Sequence, residues 1–204
     1  MLQVNALACR RGGREIFREV SFALGAGDVL LVTGENGSGK SSLLRVLAGL
    51  IPSTAPALSW RGQSIEVEPS LYRRSLHYVG HQDAAKSEFT VAEMLDYWRS
   101  LYSLDRLEPP LGQDPFSIAR LLDRPVRALS AGQKRRLALS RLTFNDAPLW
   151  LLDEPQTALD RDGQRILGDL ITQHRTNGGM AIIATHHDMS LSQAKHLEMK
   201  GRRS

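Results

Sequence analysis

With 204 residues, 42% hydrophobic and 24% charged, the chain fits one soluble globular domain with a sizeable core. Its net charge of +4 balances 26 basic against 22 acidic side chains. No nucleic-acid partner is therefore expected, and the clusters Arg10-Arg11, Arg73-Arg74, Lys134-Arg135-Arg136 and Lys200-Gly201-Arg202-Arg203 read as solvated surface. No apolar run reaches bilayer length, no start-of-chain segment reads as a signal peptide, and the single cysteine, Cys9, reads as a small half-buried strand residue, so a cytosolic chain is expected.

Residues 2–32 read as β-structure, with Leu2, Val4 and Ala6 alternating with polar neighbours and Val20, Phe22 and Leu24 doing the same. Gly12-Gly13 and Gly25-Ala26-Gly27 supply turns. Val29–Thr33 is a short buried strand, and Leu43, Leu44, Val46 and Leu47 then recur at helical spacing until Gly49 and Pro52. Leu58–Trp60 and Ile65–Val67 suggest a hairpin, and Leu76–Gly80 a strand ending in His81-Gln82-Asp83. The texture then becomes helical. Thr90 and Glu93 stand in capping-box register before an apolar stripe of Met94, Leu95, Trp98, Leu101 and Tyr102. After a loop at Glu108–Gly112, Asp114-Pro115 opens a second helix through Leu122, and Ser130 with Gln133 caps a third that runs through Lys134–Asn145. Pro148–Leu152 is a buried strand ending in Asp153-Glu154-Pro155. Asp160 precedes a helix with the stripe Ile166, Leu167, Leu170 and Ile171, and Asn177-Gly178-Gly179 ends it. Met180–Thr185 is a last core strand leading to His186 and His187. The predicted fold is α/β, a single domain over residues 1–204, with a core of 1–83 and 141–204 and a helical insertion at about 84–140.

The chemistry centres on Gly34-Glu35-Asn36-Gly37-Ser38-Gly39-Lys40-Ser41-Ser42, which fits the phosphate-binding loop pattern with the correct strand before it and helix after it. Glycines let the backbone wrap an anion, and the helix N-terminus adds N–H groups and a positive dipole end. Lys40 is placed to reach the β- and γ-phosphates of a nucleotide, and the Ser41 hydroxyl to join Mg²⁺. Asp153 and Glu154, at the carboxyl end of an apolar strand, stand where metal and water chemistry sits in open α/β sheets.

Together these stretches resemble the ATP-binding cassette (ABC) ATPases along nearly the whole chain. In that comparison Gly34–Ser41 is the Walker A loop, Gln82 the Q-loop glutamine and Leu129–Gln133 the signature; Leu149–Glu154 is the Walker B end, Asp160 the D-loop aspartate and His186 the switch histidine. The resemblance implies a P-loop fold with a mixed sheet around the loop helix, an N-terminal antiparallel β subdomain and an inserted helical subdomain. It also implies that Asp153, Ser41 and Gln82 hold Mg²⁺, that Glu154 polarises the attacking water, and that His186 bonds the γ-phosphate and steadies Glu154. In the family the signature, here Ser130, Gly132 and Gln133, closes on ATP bound by a second subunit, so a homodimer of cassettes is expected. A narrower likeness is to the haem-exporter ATP-binding subunits of bacterial cytochrome c maturation. It rests on Leu129–Arg136, Tyr78–Gln82, Asp153-Glu154-Pro155 with Thr157–Asp160, and the small size. That likeness implies a peripheral subunit on the cytoplasmic face of the inner membrane, working through integral membrane permease subunits to export haem or release a haem-loaded periplasmic chaperone.

Some positions depart from the family pattern. Where an aromatic usually stacks on adenine stands Arg10 or Arg11, Ala131 replaces the middle signature glycine, and Gln156 stands where a small or apolar residue is frequent. A soluble ABC ATPase of ribosomes or nucleic acid is disfavoured, since this chain has one cassette and no room for a long coiled coil. The lid or base motif of a small-molecule kinase or GTPase is missing. A subunit of another importer or exporter stays open. Phe89, Tyr97, Trp98 and Tyr102 are candidate permease contacts, although the place of Trp98 on the apolar stripe favours packing in the insertion's own core.

Overall fold

The computed structural model describes residues 1–53, 57–101, 114–186, 189 and 191–200. Tyr102, the Glu108–Gly112 loop, His187 and the Arg202-Arg203 tail lie outside the described residues. The strands are Leu2–Arg11 (β1), Arg14–Leu24 (β2), Val29–Thr33 (β3), Leu58–Trp60 (β4), Gln63–Ser64 (β5), Leu76–Val79 (β6), Leu149–Asp153 (β7), Met180–Ala184 (β8) and Lys195–Glu198 (β9). The α-helices are Lys40–Leu47 (α1), Pro69–Arg74 (α2), Val91–Leu101 (α3), Ala131–Ser140 (α4) and Arg161–Thr176 (α5).

Two sheets divide the strands. An antiparallel sheet has the order β2-β1-β4-β5, and a five-stranded sheet of parallel pairs has the order β6-β7-β8-β3-β9. Strands that are apolar at every position need cover on both faces, and alternation then assigns each side chain to one of two cores. Leu30, Val32, Leu149, Leu151, Met180, Ile182 and Ala184 face the core that holds α1 and the antiparallel sheet. Val29, Leu31, Trp150, Leu152, Ala181 and Ile183 face the core made by α3, α4 and α5. Helix α1 thus lies between the two sheets, burying Leu43, Leu44, Val46 and Leu47. Each such side chain contributes roughly 1.5–3 kcal/mol relative to exposure. Because the pairs are parallel, the carboxyl ends of β3, β6, β7, β8 and β9 all emerge at one edge, where Gly34, Gly80, Glu154, Thr185 and Met199 follow.

Several expectations change. Ala6 is exposed with φ of 50°, the ladder slips between Val4 and Leu7, and Leu7 takes the inward place; the Ser21 hydroxyl accepts the Ala6 N–H at 2.8 Å. Cys9 is fully buried, and burial pushes its thiol pKa up. The hairpin after β4 uses Gln63–Ser64, and Ile65–Val67 is a turn because the Val67 N–H closes back on the Ser64 carbonyl at 3.1 Å and the Glu66 N–H on the Ser64 hydroxyl at 3.3 Å. The capping box at Thr90 and Glu93 forms, and Val91, Met94, Leu95 and Trp98 are buried, but Leu101 is 63% exposed. Asp114 spends both carboxylate oxygens on the Ile118 and Ala119 N–H groups at 2.8 Å, so only a 3-10 turn at Ala119–Leu121 follows. Helix α4 stops at Ser140 and tightens into a 3-10 turn at Arg141–Thr143.

Candidate functional site

The turn after β3 is built by backbone shape. Gly34, Gly37 and Gly39 have φ of 137°, 83° and 100°. A β-carbon on Gly34 would run into the Met199 carbonyl oxygen, which β9 holds there through the Met199 N–H to Thr33 O bond of 2.7 Å. One on Gly39 would come within 3.0 Å of Ile16 Cγ2. Lys40 folds back across the loop, its Nζ donating to Gly34 O at 2.7 Å and Glu35 O at 3.1 Å. The ammonium is therefore held over the loop's concave side, at the N-terminus of α1, where a phosphate chain finds N–H groups, dipole and cation together.

Beneath the loop, strand β7 delivers Asp153 with no exposed surface. Asp153 Oδ1 accepts the Ser41 hydroxyl at 3.0 Å, while Oδ2 is buried without a hydrogen-bond partner. A carboxylate oxygen with no donor, beside a serine oxygen at a helix N-terminus, is a hard-oxygen environment that fits Mg²⁺. Glu154 takes φ of 49°, a strained value for a non-glycine residue. Its N–H is fixed to Ala184 O at 2.9 Å, and its Oε2 lies 2.9 Å from His186 Nδ1. One cavity of about 530 Å³ gathers the loop residues Asn36, Gly37, Gly39, Lys40, Ser41 and Ser42 with Arg11, Ile16, His81, Glu154, Thr157 and His186. A phosphate cradle and a carboxylate paired to a histidine thus open on one space, with Asp153 buried behind Ser41, the equipment of phosphoryl transfer to water.

Comparison with known proteins decides the family. The ABC transporter family matches residues 17–157. A cytochrome c biogenesis ATP-binding export protein of Rhodospirillum rubrum is 46% identical, covering 95% of this chain and 83% of that one. The protein of the same description from Paramagnetospirillum magneticum is 44% identical over 95% of this chain and 91% of its own. A solved dimeric ATP-binding cassette in a post-hydrolysis state, bound to ADP and phosphate, superposes with a TM-score of 0.82 at 18% identity, covering 100% of this chain and 97% of that one. The chain belongs to the ABC transporter family. It binds ATP and is an ABC-type ATPase.

The other cassette motifs stand outside the loop cavity. Gln82 lines an adjoining cavity of about 520 Å³ with Arg45, Tyr78, Asp83 and Lys134, and His81 borders both spaces. Ser130 caps α4 in a complete capping box, its hydroxyl accepting the Gln133 N–H at 3.2 Å and its N–H donating to Gln133 Oε1 at 3.0 Å. Gly132 packs so closely on the Thr157–Asp160 turn that a β-carbon would lie 2.8 Å from Ala158 O. Asp160 caps α5, accepting from the Gly163 N–H at 2.9 Å and from Arg136 Nη2 at 2.6 Å, and these bonds hold its carboxyl below the ordinary range. Of the two base-contact candidates, Arg11 lines the loop cavity, whereas Arg10 Nη2 turns to Gly13 O at 3.5 Å. Sequence reasoning missed Ile16, His81 and Thr157 as lining residues. It also placed Arg135 on the solvated face, whereas the side chain is 3% exposed, beneath the Asp153-Glu154-Pro155 turn. No helix among the described residues is long and apolar enough to cross a membrane.

Proposed function

We propose that this chain is the ATP-hydrolysing subunit of a membrane complex of cytochrome c biogenesis, a peripheral subunit on the cytoplasmic face of the bacterial inner membrane. The reading rests on one observation: relatives described as cytochrome c biogenesis ATP-binding export proteins are 44–46% identical over 95% of this chain. Its partners in this reading are integral membrane permease subunits of the cytochrome c maturation system, and its output is haem export or release of a haem-loaded chaperone.

The geometry supports the following residue roles. The Gly34–Ser42 loop and Lys40 cradle the phosphates, and the Arg11 guanidinium with the Ile16 side chain covers the base. Asp153 and Ser41 would hold Mg²⁺, joined by Gln82 from the neighbouring cavity, and the cation would supply charge neutralisation at the phosphates. Glu154, oriented by His186, takes the proton of the attacking water or positions it, and His186 reaches the γ-phosphate. The outward end of α4, with Ser130, Gly132 and Gln133, closes on ATP held by a second copy, next to that copy's Asp160 turn. The likeness in fold to a cassette solved as a dimer supports the pairing of two copies.

Deletion of the gene followed by an assay for covalent haem in c-type cytochromes tests the assignment. Loss of covalent haem, restored by the wild-type chain and not by Glu154→Gln, is expected. Normal cytochromes in the deletion strain would overturn the haem assignment.

A further inference from the structure

The guanidinium of Arg135, on α4 one turn beyond Ser130, lies beneath the catalytic turn with every one of its N–H donors engaged. Nε donates to Pro155 O at 3.2 Å. Nη1 donates to Gly80 O at 2.9 Å and Asp83 Oδ1 at 3.1 Å, and Nη2 donates to Asp153 O and Glu154 O, both at 2.8 Å. An arginine carries five donors in a rigid fork, so this set saturates it. Four acceptors are backbone carbonyls, and the single carboxylate, Asp83, is partly solvated. Burying a charge this way is a poor route to stability, because an apolar side chain of similar volume commonly serves as well. What the guanidinium supplies is geometry. It grips the successive carbonyls on either side of the strained Glu154, which fixes the direction of that side chain. The same fork grips the segment on either side of His81 and Gln82.

We propose that Arg135 is a positioning residue for ATP hydrolysis. It locks the Asp153-Glu154-Pro155 turn to the Gly80–Asp83 segment and to α4, so that Glu154 keeps its aim at the water. Through α4 the same lock ties the aim of Glu154 to the Ser130 end that a second copy's ATP would meet. This rests on the reading of Glu154 as the group that orients or deprotonates water. A carboxylate displaced by about an ångström loses on the order of 10²-fold in rate without any loss of ligand contacts.

The test uses the full chain. Arg135→Lys keeps the charge and loses the fork; Asp83→Asn removes only the anionic partner; each is measured for kcat, KM for ATP, ATP affinity and Tm, alone and combined with Glu154→Gln. Expected for Arg135→Lys is a kcat lower by roughly 10–100-fold with KM and ATP affinity within about 3-fold, and a smaller kcat loss of the same kind for Asp83→Asn. Neither substitution should slow the residual hydrolysis of Glu154→Gln further, since a residue acting through Glu154 has nothing left to position. A kcat within about 3-fold of wild type, a loss carried by KM, or a loss that adds to that of Glu154→Gln would overturn the proposal. If Arg135→Lys does not fold, the same criteria are applied to Asp83→Asn. Wild-type hydrolysis in Glu154→Gln alone would remove the underlying reading, a result distinct from inert Arg135 substitutions beside an inactive Glu154→Gln.

Discussion

Two helix N-termini in this molecule present themselves to anions in opposite ways. Helix α1 begins at Gly39 in the left-handed region with no side-chain cap, walled by its own loop and by Lys40. Helix α4 begins at an exposed Ser130 whose hydroxyl and N–H are both satisfied by Gln133 within the same turn. An uncapped N-terminus inside a glycine turn is built to be completed by a phosphate, whereas a self-capped, outward one adds contacts to a phosphate brought to it. Tight binding and final closure are thereby separated in space. The Thr157–Asp160 turn and Arg135 carry information between them, since the first packs on Gly132 and the second grips Glu154.

The largest effect should separate catalysis from binding at the α1 end. Glu154→Gln is expected to lower kcat by about 10²–10⁴-fold while leaving ATP affinity near wild type, checked by steady-state hydrolysis and equilibrium nucleotide binding. At the α4 end, Gly132→Ala should leave ATP binding intact. Its β-carbon must push the Ala158 carbonyl away, so we expect a loss of about 1–3 kcal/mol in stability and a clear fall in hydrolysis. Equal losses of ATP binding would erase the distinction between the two ends.

A smaller effect concerns the parallel sheet that supports both. Burial lowers the pKa of His77, on β6, to about 4 from its ordinary 6.5. The folded chain keeps this imidazole neutral, so the unfolded chain binds the additional proton between those values. The stabilisation is fully present above about pH 6.5 and is lost as pH falls toward 4. The Tm of wild type should therefore drop by on the order of 5–10 °C more than that of His77→Gln across this window, read by calorimetry. Parallel pH curves would contradict the assignment. The smallest effect belongs to the rim. Arg11→Ala should weaken ATP by only about 2–5-fold, and GTP by a similar factor, since a guanidinium over a purine face discriminates little between bases.

The loop, the Thr90 and Ser130 capping boxes and the acids at the end of β7 were legible because each depends on local spacing alone. Strand β9 was not, because Lys-His-Leu-Glu carries no apolar run; it forms as an edge strand held by the backbone of β3, yet it puts Met199 against Gly34. Helix α2 escaped notice because six residues with one buried side chain, Tyr72, show no periodicity. The Ala6 bulge depends on a side chain far along the sequence, Ser21. Arg135 is the most instructive miss. Flanked by Lys134 and Arg136 it looks like solvated charge, and only the fold shows that helical rotation turns the middle residue inward, onto the carbonyls of Gly80, just past β6, and Asp153, the last residue of β7.

In the proposed assembly two copies of this chain complete each other's ATP sites. It is tested most directly by the mass of purified Glu154→Gln in solution, with its membrane partners present, in ATP and then in ADP. A paired cassette is expected in ATP that separates in ADP and that Ser130→Phe prevents from forming. A single cassette in both nucleotides would contradict it.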